Sequence, residues 1–238
     1  MFREAFRVAN APRKGPVQLN LPRNVLSAQA DYPPLQSVED YRPCPAPAGE
    51  AGVIARAAAK LCGASRPVII AGGGIKNTEG HSAALALAEA LNAPVVTSPG
   101  HGDAIPFGHP LNAGQMGPRG NVVASQLVKE ADVILALGTR IGFNATFYSY
   151  DNINRDAAII QIELEPTALG RYFPVEIGIW ADAPTAALQL CEEVKRLDQR
   201  RLADDWTATF KADRQAFLAA RDAPVSYTHL RAHETKCY

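Results

Sequence analysis

Between Ala51 and Leu197, short runs of branched apolar residues recur, each set off from the next by a stretch with helical spacing. The runs are PVIIA (67–71), PVVT (94–97), DVILAL (132–137), AIIQI (158–162) and VEIGI (175–179). Around them, AGVIARAAAKLC (51–62), TEGHSAALALAEALN (78–92), GNVVASQLVKEA (120–131) and PTAALQLCEEVKRL (184–197) place apolar residues on one helical face. A strand that is apolar on both faces must be covered on both, and alternation with amphipathic helices supplies that cover. The spacing therefore predicts an α/β domain over residues 51–198, built on a doubly wound parallel sheet. The connection 98–118 is long for this class, and long loops in such folds tend to be functional.

The flanks read differently. FREAFRVAN (2–10) has helical spacing and GPVQLNLP (15–22) alternates like a strand, yet no partner strand precedes them. Residues 1–26 are therefore expected to be the C-terminal remnant of another α/β domain. Residues 27–50, with Pro33, Pro34, Pro43, Pro45 and Pro47 among polar neighbours, read as an extended linker. Residues 199–224, containing LADDWTATFKADRQAFLAAR, read as a helix leading toward a further domain. The tail VSYTHLRAHETKCY (225–238) has neither periodicity nor turn logic and resembles a translated sequencing adapter, so His229, His233 and Cys237 carry no functional argument.

Basic and acidic residues balance, 24 against 24, and no basic stripe appears, which excludes the electrostatic footprint of a nucleic-acid binder and favours a small-molecule partner. No run approaches the roughly 20 apolar residues of a membrane span, and the first residues lack the apolar core of an export signal. The expectation is a cytoplasmic protein with no membrane partner. Cys44, Cys62, Cys191 and Cys237 lack metal spacing and read as reduced thiols.

Candidate site residues follow from strand ends. In an open parallel sheet, ligands sit at the carboxyl ends of the strands. In RPVIIAGGGIKNTEG (66–80), Gly72, Gly73 and Gly74 follow the first strand, where missing side chains let a phosphate or ribose approach the backbone; a plain tight turn uses the same residues equally well. Asn77 stands where the dinucleotide fingerprint needs glycine and no acid follows PVVT, which disfavours an NAD-dependent enzyme. Other strands run into Gly138-Thr139-Arg140, Glu163-Leu164-Glu165 and Trp180-Ala181-Asp182. Arginine can stack on adenine and a carboxylate can accept ribose hydroxyls, although Asp182 serves as well to cap a helix and Arg140 to pair with a surface acid. His101, Asp103 and His109 fall within nine residues of the long loop, where a loop-shaping role is preferred to acid–base chemistry. No Ser-His-Asp order, HExxH or Walker loop is present, and no catalytic residue is assigned.

Six blocks carry a resemblance: GPVQLNLPRNV, RPVIIAGGGI, PVVTSPGHGDAIPFGHPLNAGQMGPRGN, ADVILALGTR, AIIQIELEP and GIWADA. In this order and spacing the chain, to about residue 222, resembles thiamine-diphosphate enzymes of the acetolactate synthase kind. The resemblance implies a Rossmann-like central domain, preceded by the tail of a pyrimidine-binding domain and followed by a missing diphosphate-binding domain. It implies thiamine diphosphate and Mg2+ in the intact parent, bound by residues absent here, and a homo-oligomer acting on a small 2-keto acid or sulfoacetaldehyde. It further implies FAD, ADP or nothing in the central domain, at Gly72 to Gly74, Gly117, Gly138, Thr139, Arg140, Glu163 and Asp182. The chain departs from acetolactate synthase where GTRIGFNATFYSY replaces a charged run and where Glu163-Leu164-Glu165 replaces a DID-like block. HGDAIPFGHPL looks closer to sulfoacetaldehyde acetyltransferase, which passes an acetyl unit to phosphate after releasing sulfite. The resemblance implies that the fragment alone is inactive; the rival class is a noncatalytic nucleotide-binding module of similar fold.

Overall fold

The computed structural model describes residues 1–31, 33–34, 37, 46–78, 80–197 and 204–222. The tail 225–238, most of the linker 32–45 with Cys44, and the junction 198–203 lie outside the described residues, as do the readings made for them. Among the described residues six strands form one sheet: Pro67–Ala71 (β1), Val95–Thr97 (β2), Asn112–Gln115 (β3), Val133–Leu137 (β4), Ala158–Glu163 (β5) and Ile177–Trp180 (β6). All neighbours run parallel, in the order β3-β2-β1-β4-β5-β6. The helices are Phe2–Ala9 (α1), Arg23–Leu26 (α2), Ala51–Cys62 (α3), Gly73–Lys76 (α4), His81–Leu91 (α5), Val122–Glu130 (α6), Phe143–Thr146 (α7), Ala183–Leu197 (α8) and Asp204–Asp222 (α9).

The doubly wound expectation is met for a physical reason visible in the strands. β1 and β4 are buried at every position. Ile69, Val95, Leu135 and Ile160 face one side, with Leu61 of α3, Leu87 of α5 and Leu190 of α8. Val68, Ile70, Ile134 and Ile159 face the other, with Leu127 of α6 and Phe210 of α9. Each large aliphatic side chain so enclosed contributes about 1.5–3 kcal/mol relative to exposure. At the sheet edge, β6 buries Ile177 and Ile179 while Gly178 and Trp180 face outward.

Two expectations need correction. The long connection after β2 contains β3, which Asn112 and Gly114 disguise because neither favours a strand. Conversely, residues 14–22 form no strand: alternation supplies a pattern, but a strand also needs a ladder partner, and 15–22 has none among the described residues. The expected helix near the start does form, as α1, with no buried residue.

The link from β2 to β3 uses an irregular segment where a helix is usual. Residues 98–111 pack along α5, with Ala104, Ile105 and Leu111 in the core shared by α3 and α8. His81 Nδ1 donates to the Ala104 carbonyl at 2.8 Å near one end of α5, and His109 Nε2 meets Glu89 Oε1 at 3.2 Å near the other. Arg214 of α9 donates to the carbonyls of Asn112 (2.7 Å) and Phe107 (3.0 Å), fixing the end of the segment.

Gln161 of β5 ties the carboxyl edge together. It is 2% exposed; its amide donates to the Thr139 and Ala168 carbonyls at 3.2 and 3.3 Å, and its Oε1 accepts from Gly170 N at 2.8 Å. Gln161→Leu keeps the volume and strips that partner from three backbone groups, so urea denaturation is expected to show a loss of about 2–4 kcal/mol. An unchanged midpoint and slope would count against this role.

Candidate functional site: a glycine-loop cleft at the strand-order reversal

The strand order reverses direction between β1 and β4, and in open α/β sheets the crevice outside the carboxyl ends of such a pair is where ligands lodge. Here it is an open cleft of about 740 Å³. Its floor is made by the loops that follow β1 and β4. Gly74 N donates to the Gly138 carbonyl at 2.9 Å, and Gly72 N donates to the Leu137 carbonyl at 3.1 Å. A Cβ on Gly74 would come within 2.7 Å of Gly138 Cα, and one on Gly72 within 2.5 Å of Thr139 Cβ. Gly138 also has φ +64°, in the left-handed region. The glycines are therefore required first by the contact of two loops with each other.

Of the nine residues singled out in the sequence, Gly73, Gly74, Gly138, Thr139, Arg140, Glu163 and Asp182 line the cleft. Gly72 lies beneath its floor against Thr139, and Gly117 packs against the backbone of Asn144 and Ala145, with φ +97°. Asp182 is 9% exposed and caps α8, accepting at Oδ2 from Thr185 N at 3.1 Å and Thr185 Oγ1 at 2.8 Å. Arg140 is exposed and pairs with no carboxylate among the described residues. Glu163 Oε1 accepts from Leu164 N and Glu165 N at 3.0 and 3.3 Å. Next to it, the hydroxyl of Thr167 and the guanidinium of Arg13 hold the Glu165 carboxyl below its ordinary range.

The structure divides the loop's acid–base trio. His109 pairs with Glu89 away from the cleft, and Asp103 meets Lys76 at 3.0 Å, which lowers its pKa. Only His101 lines the cleft. Burial, and secondarily the Lys76 charge, push its pKa down, while Asp103 acts in the opposite sense.

Sequence reasoning missed the aromatic wall. Phe143, Phe147 and Tyr148 are each about half exposed (52%, 48% and 51%). Phe143 lies 4.9 Å from Phe147 and 5.5 Å from Tyr148, and Tyr148 stacks on Tyr172 at 4.6 Å between centroids. Ile141, Phe147 and Tyr148 all have positive φ, 49°, 51° and 56°, a backbone state that bulky residues avoid at a cost of order 1 kcal/mol or more each. The available signal was the aromatic density of GFNATFYSY itself. Among the described residues no three His, Cys, Asp or Glu side chains group as a metal site requires, and no helix is long and apolar enough to cross a membrane. Cys62 and Cys191 are buried free thiols, the Cys62 pKa being raised by burial.

Comparison with known proteins places this architecture. The family model described as the thiamine pyrophosphate enzyme central domain matches residues 54–190. The chain is 42% identical over 174 residues to the sulfoacetaldehyde acetyltransferase of Rhodobacter capsulatus, covering 72% of this chain and 29% of that protein. It is 37% identical over 209 residues to the one from Castellaniella defragrans, covering 87% and 33%, and 30% identical over 218 residues to the acetolactate synthase large subunit of Buchnera aphidicola, covering 89% and 37%. The chain thus spans about a third of the length of the curated relatives it matches. A solved structure of an enzyme from Mycobacterium smegmatis, described as thiamin diphosphate-dependent, shares the fold at TM-score 0.63 and 22% identity, covering 81% of this chain and 36% of that one. With the strand order, the switch-point cleft and the family match in agreement, this chain belongs to the thiamine pyrophosphate enzymes, whose central domain it contains.

Proposed function

We propose that the chain is the central part of a thiamine-diphosphate-dependent transferase or lyase that draws a two-carbon unit from sulfoacetaldehyde, releasing sulfite, rather than from a 2-keto acid. The carrying observation is the 42% identity to a sulfoacetaldehyde acetyltransferase, against 30% to the Buchnera acetolactate synthase. In this reading residues 1–26 end a pyrimidine-binding domain, which agrees with the exposed apolar residues Phe2 and Phe6 of α1. Thiamine diphosphate supplies carbanion stabilisation in such enzymes and magnesium anchors its diphosphate. Among the described residues no three His, Cys, Asp or Glu side chains group to hold a metal, and in this reading neither group is held by the residues described. They supply the scaffold instead. The chain expressed alone is expected to show no thiamine-dependent release of sulfite or carbon dioxide above background; measurable turnover would refute this division of labour.

We further propose that the cleft grips an adenosine nucleotide, FAD or ADP. Arg140, which meets no carboxylate among the described residues, suits a phosphate, the Phe143 and Tyr148 rings offer stacking surface, and the carboxylate of Glu163 suits ribose hydroxyls. Calorimetry with ADP and with FAD is expected to detect binding to at least one, with NAD as the negative control. Arg140→Ala should weaken that binding about 10-fold or more, the worth of a charge-assisted contact. Equal affinity in the variant would remove Arg140 from the site. A yellow protein that keeps flavin through purification would favour FAD over ADP.

A further inference from the structure

Two buried side-chain polar atoms among the described residues have no hydrogen-bond partner: Thr97 Oγ1, at the end of β2, and His101 Nδ1, on the turn that leaves it. That turn enters the cleft through Ser98, Pro99 and His101. Its backbone is built to hold the imidazole still: His101 N donates to the Ser98 carbonyl at 3.0 Å, and Ala104 N donates to the His101 carbonyl at 2.9 Å. The ring's Cε1–Nε2 edge lies over the glycine loop, where a Cβ on Gly73 would come within 2.9 Å of Cε1 and 3.2 Å of Nε2. Gly73 thus leaves the room in which the imidazole sits.

Chemistry then assigns the ring's proton. A proton on Nδ1 would bury an N–H without an acceptor, and orphaned buried donors are rarer and costlier than orphaned acceptors. A second proton is opposed by burial and by Lys76 and favoured only by Asp103, which Lys76 already engages at 3.0 Å; His81, the other imidazole near Asp103, is committed to the Ala104 carbonyl. Only one donor remains, and it lies on the edge beside the glycine loop.

We propose that His101 is a ligand-binding residue of the cleft, giving its Nε2–H to an oxygen acceptor of the bound nucleotide. The inference rests on the nucleotide reading of the cleft given above. It makes the turn after β2 a third contact surface, beside the glycine loops and the aromatic wall.

The test uses the 238-residue chain with ADP and FAD as probes. His101→Phe is expected to weaken binding of whichever nucleotide the parent chain binds by about 10-fold, while His101→Gln, which restores an N–H, stays within about 3-fold of the parent. In parallel, 15N-detected imidazole spectra of the parent chain, assigned by loss of the signal in His101→Phe, should show the Nε2–H tautomer, with the second proton added only at a pH below that of an ordinary histidine. The Nε2 resonance should move when the nucleotide is added. Binding untouched by His101→Phe, a Nδ1–H tautomer, or a ring that titrates at the ordinary histidine pH overturns the His101 assignment while leaving the nucleotide site in place. Failure of the parent chain to bind either probe overturns both.

Discussion

Two backbones touch at the carboxyl edge of the sheet because neither Gly74 nor Gly138 carries a Cβ, and the rest of the cleft depends on that approach. The contact lets the β1 and β4 loops share a hydrogen bond of 2.9 Å, so the floor of the crevice is a rigid seam between the two central strands. Ala183, at the start of α8, closes the seam from the side: its Cβ lies within 3.3 Å of the position a Cβ on Gly74 would take. The walls are then set by what projects above the seam. Gln161 fixes the backbone of Thr139 and of the segment after β5 from below, which helps to place Arg140 and the Glu163–Arg171 stretch. The order of causes runs from strand pairing to glycine contact to side-chain placement.

The segment after β2 shows how one piece of chain can serve two ends of a domain. It starts at the carboxyl edge, lends His101 to the cleft, and finishes at the amino edge, where Arg214 of α9 holds it. In keeping with the loop-shaping role preferred for them, two of the three acid–base groups on this path bind neighbours: Asp103 to Lys76, His109 to Glu89. Clustering in sequence did not become clustering in space because the segment, a succession of turns, travels from the carboxyl ends of the strands to the start of β3. A search for acid–base pairs by proximity in sequence is reliable only where the chain turns back on itself.

The sheet was legible because its strands are apolar on both faces: PVIIA was located to the residue, and β4 and β5 to within one residue at either end. Strand β3 was not legible, since Asn112 is buried for its hydrogen bonds to the Ile105 and Pro106 carbonyls and Gly114 has φ +87°, neither of which shows in a hydrophobic pattern. In the other direction, 15–22 shows the pattern without the structure, because pattern marks which face could be buried and says nothing of what buries it. At the site, backbone-dictated positions such as Gly74, Gly138 and Asp182 could be read from strand ends. Tyr172 and Gln161 could not, because each acts through a partner distant in sequence: Tyr148 and Thr139.

The pairing at the centre of the sheet also governs how the chain can reach its structure. Pro67 lies opposite Val133 and Ala71 opposite Leu137, so the two innermost strands pair across an intervening stretch of chain that holds α4, α5, β2, β3 and α6. No hairpin offers a local starting point, since every ladder in this sheet is parallel. The entropy of closing that large loop must be met before the central contacts repay it, which makes folding slow and leaves β-prone segments such as VILAL transiently uncovered. Until those parallel ladders close, such segments stay open to pairing with other chains during synthesis.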